Sequence, residues 1–186
     1  MKRNALLLTL VLVAAMAPTA MAQSDIGFKK LGVAAGFVSP ENLDGTFMFG
    51  AFADLGTITP NIGLEPRLDY WSWSQSASGF ESKVHDFVFG ARGKYYFDVQ
   101  KSKVRPFAGA GLALHFVGVE ATTPPMGGFP AMTVSDSQTK LGVDLGGGLL
   151  TPLSPRVDFL GEVWYGIVSD VSQFSLRAGV SMKLGS

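Results

Sequence analysis

The chain has 186 residues, enough for one domain, with 47% hydrophobic residues, 16% charged residues and a formal net charge of zero. Soluble domains carry about 25% charged residues and nucleic-acid-binding domains need a basic face, so nucleic acid is not an expected partner. The absence of cysteine excludes disulfides and thiolate chemistry, and two histidines, His85 and His115, cannot form a multi-histidine metal site. We predict no metal site and no cofactor.

The N-terminal segment has the features of an export signal. Two basic residues, Lys2 and Arg3, precede the apolar run Ala5–Ala17, which is too short to span a bilayer as a helix. Ala20 and Ala22 then stand at the two positions that signal peptidase reads. We predict a signal peptide at residues 1–22 that is removed after Ala22. The mature chain has no later apolar run of helical length, so a membrane location would require a β-barrel.

Residues 23–186 form the predicted barrel domain. They repeat a period-two alternation of apolar and other residues between clusters of Gly, Pro, Asn, Asp and Ser, which indicates strands joined by turns. Most of the eight stretches reach the roughly 9–11 residues that a tilted strand needs to cross a bilayer. They are Lys29–Val38, Thr46–Leu55, Asn61–Trp73, Lys83–Phe97, Arg105–Val119, Thr139–Leu150, Val157–Val168 and Gln173–Leu184.

The predicted connections alternate between two kinds. Three are short (Gly56–Pro60, Asp98–Val104 and Thr151–Arg156), and four are polar (Ser39–Gly45, Ser74–Ser82, Ala121–Gln138 and Ser169–Ser172). Transmembrane barrels have short periplasmic turns and longer extracellular loops. The four polar connections, which are the longer ones apart from Ser169–Ser172, are therefore expected outside the cell. The longest of them, Ala121–Gln138, is the expected contact for an extracellular partner.

The two faces of the strands differ in chemistry. In the third strand one face carries Ile62, Leu64 and Leu68, while the other carries charged residues and glycine. A soluble, lipocalin-like barrel would put the apolar face inside, and a membrane barrel would put it outside. Isolated charges of both signs separated by glycine suit a narrow lumen better than a solvated surface. We therefore predict an apolar outer face, with aromatic residues near strand ends (Tyr70, Trp71, Trp73, Tyr95, Tyr96 and Phe97) as interfacial girdles.

The mixed face predicts a network of paired charges in the lumen. Four acidic and four basic residues share this face: Glu65, Arg67, Asp69, Arg92, Lys94, Asp144, Glu162 and Arg177. Hairpin geometry can place Glu65 opposite Arg92 and Glu162 opposite Arg177, because antiparallel neighbours share a face. Such pairs either plug the barrel or gate it by exchanging partners.

Several segments resemble a known family. Arg105–Leu112 (RPFAGAGL) resembles the strand opening of small outer-membrane barrels, Leu141–Leu149 (LGVDLGGGL) resembles their glycine-rich hairpin, and Leu176–Ser181 (LRAGVS) is similar to their closing strand. The family is the outer membrane protein A-like, opacity-type β-barrel family. The resemblance implies an all-β, eight-stranded antiparallel up-and-down transmembrane β-barrel in a bacterial outer membrane, and it identifies architecture rather than activity.

Three classes of function remain open. By elimination, the leading one is a structural or surface-interaction role, through membrane integrity, adhesion or host contact. A narrow channel or hydrophobic-ligand transporter is the first alternative, although eight strands leave an interior that side chains fill. A lipid A-modifying enzyme is the second, and its only candidate set is Ser82, His85 and Asp86, of which alternation puts the last two on opposite faces. We predict no catalytic residues, and we expect His115 to hydrogen-bond within the lumen.

The expected partners follow from the predicted location. They are outer-membrane lipid and lipopolysaccharide, the barrel-assembly machinery during biogenesis, and an unidentified extracellular partner at Ala121–Gln138.

Overall fold

The computed structural model of the protein describes residues 25–125, 130–169 and 171–184, so the predicted signal peptide lies outside the described part. Each of eight strands pairs antiparallel with its neighbours in sequence, and the first closes on the last, which confirms the predicted up-and-down barrel. The strands are β1 (Asp25–Pro40), β2 (Thr46–Thr59), β3 (Ile62–Ala77), β4 (Phe80–Tyr96), β5 (Arg105–Thr123), β6 (Met132–Pro152), β7 (Val157–Val168) and β8 (Gln173–Lys183).

The faces lie as the alternation predicts. Leu145 and Val143 are 49% and 40% exposed on the outside, while Asp144 between them is 3% exposed. The same pattern repeats around the ring, so an apolar belt covers the outside, while the charged side chains lie in the interior together with buried aromatic and apolar ones. This inverts the polarity of a water-soluble barrel and suits a lipid environment. Within the described residues, no helix is long and apolar enough to cross a membrane.

The β3–β4 connection is much shorter than predicted. The segment Ser74–Ser82, expected as a loop, is a hairpin in which only Ser78 and Gly79 lie outside the strands. Both turn residues have positive φ, 53° and 84°, as a two-residue hairpin turn of type I′ requires. The polar composition suggested a loop, but a Ser-Gly pair that accepts this turn lets the strands continue to it.

The expected long loop Ala121–Gln138 is also mostly strand. β5 runs to Thr123 and β6 begins at Met132, with an unbroken register to the pair Thr123–Met132. The hydroxyls of Thr122 and Thr133 lie 3.0 Å apart across this pair of strands. β-branched residues favour extended backbone, and here they outweighed the polar composition that suggested a loop.

A third predicted connection, Gly56–Pro60, is corrected in the same way, because β2 continues to Thr59. Gly56 has φ of 82° where the pairing of β2 with its neighbours shifts register. Its amide donates to Asp54 Oδ1 at 2.8 Å. The glycine thus permits a bulge that bends the strand without ending it.

The barrel is taller on one side. We call the end that carries the chain termini the terminal end and the opposite one the far end. At the far end the β6–β7 ladder stops at Gly142–Val168, whereas β6 stays paired with β5 as far as Met132. Similarly, β3 pairs with β2 only to Trp71 but with β4 to Ala77. Four strands therefore rise beyond the closed ring as a raised sheet, composed of residues 73–77, 80–84, 117–123 and 132–140.

Candidate functional site

The interior of the barrel holds the densest cluster of charged groups among the described residues. All eight residues expected there from the sequence have their side chains in the lumen, and none is more than 6% exposed. Strands β3, β4, β6, β7 and β8 supply them, so they reach the same space from different parts of the ring. Removed from water to this degree, each charge needs a partner of opposite sign.

One half of the cluster is organised by Asp144. Its Oδ2 atom accepts from Arg67 Nη2 at 2.6 Å and from Arg92 Nε at 3.2 Å. Arg67 Nη1 also donates to Asp69 on the same strand. The guanidinium groups of Arg67 and Arg92 thus share the Asp144 carboxylate, and Arg67 also bonds to the Asp69 carboxylate.

The other half is organised by Glu162. This carboxylate accepts from Lys94 Nζ at 2.9 Å, from Arg92 Nη1 at 3.4 Å and from Arg177 Nε. Arg177 Nη1 donates to Asp69 Oδ1 at 2.6 Å. These bonds close a ring of alternating charge that runs through Arg67, Asp69, Arg177, Glu162, Arg92 and Asp144. We call these six residues with Glu65 and Lys94 the charge network.

The strand registers match the two cross-strand pairs expected from the sequence, Glu65 with Arg92 and Glu162 with Arg177. Only the second pair forms a direct side-chain contact. Glu65 instead lies against Lys94 Nζ at 2.5 Å and Arg177 Nη2 at 3.6 Å. Long side chains in a narrow lumen reach across the barrel, so their partners are set by the whole ring.

Glycines on the neighbouring strands make room for these charged side chains. A Cβ atom on Gly36 would lie 2.6 Å from Arg177 Cα, and one on Gly111 would lie 2.8 Å from Arg92 Cγ. Gly50 is paired in register with Asp69 and is similarly crowded by it. At these three inner positions, glycine is therefore required by the close approach of a neighbouring strand and its charged residue.

An aromatic layer lies beside the charge network on the terminal side. Arg92 Cζ sits 3.9 Å from the centroid of the Trp164 ring, and Lys94 Nζ sits 4.6 Å from that of Phe107. These contacts add cation–π attraction to the ion pairs. The layer consists of Ala34, Phe52, Phe107, Leu160 and Trp164, with Tyr96 and Leu150 packed against it.

On the far side, the lumen holds a buried Asp86–His115 pair and an apolar cluster. His115 Nδ1 lies 2.7 Å from Asp86 Oδ2, and both side chains are fully buried, in accord with the lumen hydrogen bond expected for His115. The apolar cluster is Val38, Met48 and Trp71, with Leu43, Trp73, Val84 and Val171 packed against it. Sequence reasoning did not single out this pair, although Asp86 and His115 share the inner face by alternation.

The predicted aromatic girdles need correction. Trp71 is fully buried in the apolar cluster at the far end, which we call the far cluster, and Trp73 packs against it. Tyr96 packs against the aromatic layer on the terminal side of the charge network. Each stands on the inner face of its strand, and position near a strand end did not outweigh that alternation. Tyr95 and Phe97, 45% and 46% exposed, do face outward.

The candidate hydrolytic set is not assembled. Asp86 faces the lumen and bonds to His115, whereas His85 lies on the other face of β4, against Gly118 of the neighbouring strand. Ser82 is an exposed residue of the raised sheet. The described residues also contain no group of three His, Asp or Glu side chains that could hold a metal ion.

Little open space is present directly beside the charge network. The cavity between the charge network and the terminal end, lined by Glu65, Lys94 and Tyr96 among others, has a volume of about 10 Å³, enough for about one water. A second cavity, of about 310 Å³, opens at the far end under the raised sheet. Its floor is apolar, with Val84, Val117 and Val119, and its rim is polar.

The chain matches the model of one protein family, described as outer membrane protein beta-barrel domain, over residues 5–183. No curated protein matches it at a significant level.

Among the solved structures that resemble it in fold are three bacterial proteins. Neisserial surface protein A (NspA) is 24% identical, with 85% of this chain and 97% of that chain aligned and a TM-score of 0.62. The N-terminal β-barrel domain of Pseudomonas aeruginosa OprF is 15% identical, with 85% and 99% aligned and a TM-score of 0.53. Ail, the attachment invasion locus protein of Yersinia pestis, is 11% identical, with 84% and 99% aligned and a TM-score of 0.54.

Proposed function

This chain belongs to the outer membrane protein β-barrel domain family, and from that premise we propose that it is a surface-interaction protein of the bacterial outer membrane. In this proposal the closed barrel is a rigid anchor, and the raised sheet is the part that meets a partner outside the cell. The observation that carries the proposal is the contrast between a filled lumen and a sheet that continues beyond the ring on one side only.

The filled lumen supports an anchoring role over transport. Apolar and aromatic layers lie on both sides of the charge network, and about 10 Å³ of space remains beside it. An ion crossing this path would have to displace bonded guanidinium and carboxylate groups. We therefore propose that the charge network plugs and stiffens the barrel.

The raised sheet supports the interaction role. Phe80, Met132 and Val134 are 48%, 63% and 67% exposed beyond the closed ring, where β6 has no ladder to β7. Exposed apolar groups rimmed by polar residues are typical of interaction sites. A purely structural barrel has no need to extend four strands beyond the level at which the ring of strands is closed.

A trimmed barrel tests the proposal. Replacing residues 74–83 by Asn-Gly joins the register partners Trp73 and Val84, and replacing residues 120–135 joins Val119 and Asp136 in the same way. The lumen residues stay unchanged, so a shift in gel mobility between unheated and boiled samples should persist as the sign of a folded barrel. We expect expressing cells to lose attachment to host-cell or matrix-coated surfaces while dye exclusion by the envelope is unchanged. Equal attachment by trimmed and full-length barrels would contradict the proposal.

The transport and enzyme alternatives have direct tests. Planar-bilayer recording of the purified barrel should give no steady conductance, and a defined open level would favour the channel. Lipid A from cells with and without the protein should be identical, since Asp86 is committed to His115.

The cellular setting is part of the same proposal. We propose that the leader is removed after Ala22, that the barrel-assembly machinery inserts the chain, and that lipopolysaccharide surrounds the apolar belt. With the termini in the periplasm, the far end faces outward. N-terminal sequencing of protein from envelopes tests the cleavage site, and a mature chain that retains Ala5–Ala17 would contradict it.

A further inference from the structure

One edge of the raised sheet has free backbone groups. The β6–β7 ladder ends at Gly142–Val168, and β6 continues for ten residues to Met132, paired only with β5 among the described strands. The stretch Met132–Thr139 therefore presents one side of its backbone without a neighbouring strand. A row of unpaired amide and carbonyl groups is a template for another strand.

The alternation of the ladder identifies the groups on this edge. Phe97 N donates to Pro106 O at 2.9 Å, so even-numbered residues of β5 bond to β4 and odd-numbered ones bond to β6. Leu153 N likewise donates to Val157 O, so odd-numbered residues of β6 point toward β7. Beyond the end of β7, the outward groups belong to Thr133, Ser135, Ser137 and Thr139. Four residues offer the amides and carbonyls of an antiparallel ladder.

This edge lacks most of the features that block strand addition. Natural edges are protected by proline, lysine, bulges or inward charges. Residues 132–139 contain no proline or lysine, their register with β5 is unbroken, and the one charge is Asp136. The opposite edge of the raised sheet, on β3, is shorter: Ser72 O accepts from Thr46 Oγ1 at 2.8 Å, which leaves Ser74 and Ser76.

The side chains along the edge define what would fit. The raised sheet has a concave face, which continues the lumen face of the barrel, and a convex face, which continues the outer face. Met132 and Val134 are exposed on the concave face, which continues into the apolar-floored cavity at the far end. Asp136 follows on the same face, and Glu41 lies on the rim of that cavity. The convex face carries only Ser and Thr along the edge, namely Thr133, Ser135, Ser137 and Thr139. An added strand would therefore place apolar side chains against Met132 and Val134, and a basic one against Asp136.

We propose that the β6 edge binds an extended peptide segment of a partner protein as an added antiparallel strand. The segment has the alternating pattern basic-x-apolar-x-apolar, read from its N-terminus. Main-chain hydrogen bonds to the four outward residues supply affinity, and the concave side chains supply selectivity. This inference rests on the proposed surface role and specifies the chemistry of its partner.

A second copy in the same membrane fits the edge poorly. Barrel strands tilt by about 35–45° from the membrane normal, so two copies related by a two-fold axis along the normal present edges with opposite tilts. Such edges cross instead of running alongside each other. A free extended segment has no such constraint.

A displayed library of random twelve-residue peptides, selected on the full barrel in lipid nanodiscs, tests the proposal. We expect enrichment of the basic-x-apolar-x-apolar pattern over selection on empty nanodiscs. The double substitution Ser135→Pro and Ser137→Pro removes two outward amides without touching the ladder to β5, which edge strands tolerate. It should weaken binding roughly tenfold or more, because two hydrogen bonds are lost and the proline rings block approach.

The matched control makes the same change on the other edge, Ser74→Pro with Ser76→Pro, and should bind like the unaltered protein. Ser135→Ala with Ser137→Ala, which keeps both amides, should also bind normally. Because proline variants can misfold, selected peptides are also tested on the unaltered barrel after N-methylation of the amides that face β6, and binding should be lost.

Strand addition would be overturned by no enrichment over empty nanodiscs, by equal binding of the Ser135/Ser137 proline variant, or by unchanged binding after N-methylation. Self-association of the barrel that competes with the peptides would identify a second copy as the occupant and also overturn it. If the peptides fail while the trimmed barrel still loses attachment, the surface role stands and only strand addition is wrong.

Discussion

The closed lumen and the raised sheet are built from the same strands but by opposite rules. In the lumen, backbone groups pair on both sides and charged side chains are buried in a bonded ring. In the raised sheet, most side chains are exposed except at its base, where Trp73, Val84 and Val117 pack inward, and two strand edges are open.

In the proposed function, this difference separates stability, which the lumen supplies, from recognition, which the raised sheet supplies. The charged side chains of the lumen are buried and bonded to one another, so substitutions there should cost folding free energy. Above Trp73, Val84 and Val117, the raised sheet makes few contacts beyond its own ladder, so substitutions there should leave folding unchanged and, in the proposed function, alter binding. Pairs of matched substitutions, one in each region or one on each face, test this separation.

The largest effect is expected in the charge network. Glu162→Ala and Arg177→Ala should each lower the free energy of unfolding by about 3–5 kcal/mol, because each leaves buried charges without partners. Arg156→Ala, in the exposed β6–β7 turn, should change it by less than about 0.5 kcal/mol. Urea titration of folded barrels in detergent measures all three. Equal midpoints for Arg177→Ala and Arg156→Ala would mean that Arg177 does not stabilise the lumen.

The second test introduces arginine at two positions of the same strand, β6, one in the lipid-facing belt and one in the raised sheet. Leu145→Arg places a charge on the lipid-facing belt and should cost about 2–4 kcal/mol. Ser135→Arg lies on the same strand and face but in the raised sheet, and its cost should stay below about 0.5 kcal/mol. The heat-modifiable fraction recovered in membranes reports insertion. Comparable losses for the two variants would contradict the boundary between belt and raised sheet.

A smaller effect is expected where glycine accommodates a charged side chain. Gly111→Ala adds a methyl group 2.6 Å from Ala91 O and 2.8 Å from Arg92 Cγ, and should cost about 1–3 kcal/mol through overpacking. Gly93→Ala, on the outer face with its nearest neighbour at 3.9 Å, should be close to neutral. Unfolding midpoints in detergent compare them, and a neutral Gly111→Ala would show that the lumen can relax.

The smallest effect concerns valine in the two regions. Val38→Ala removes two methyl groups from a fully buried site and should cost roughly 1.5 kcal/mol, at about 0.8 kcal/mol for each group. Val134→Ala, 67% exposed in the raised sheet, should cost less than about 0.5 kcal/mol. If Val134→Ala destabilises the barrel as much, the raised sheet is part of its folding core.

Much of the architecture follows from the sequence because alternation is local. Alternation alone places Asp144 on the face opposite to Val143 and Leu145, and that pattern needs no knowledge of the other strands. The ends of the strands were less predictable. Ser74–Ser82 and Ala121–Gln138 look like loops by composition, and only pairing with a neighbouring strand stabilises them as extended chain.

The bonding partners of individual side chains are harder to predict from the sequence than the strands are. The register pair Glu65–Arg92 follows from hairpin geometry, but the contacts of Glu65 with Lys94 and Arg177 depend on how the ring closes. Trp71 illustrates the same point, since its place in the far cluster depends on side chains from several strands.

The sequence by itself therefore determined the number of strands, their faces and the charges that occupy the lumen, because each of these is written in the period-two pattern of single strands. Only the tertiary structure decided which charges bond to each other, how far each strand continues, and that β6 outruns β7 to leave an open edge. Those features depend on the relative lengths and registers of strands far apart in the chain, and the alternation within one strand carries no information about them.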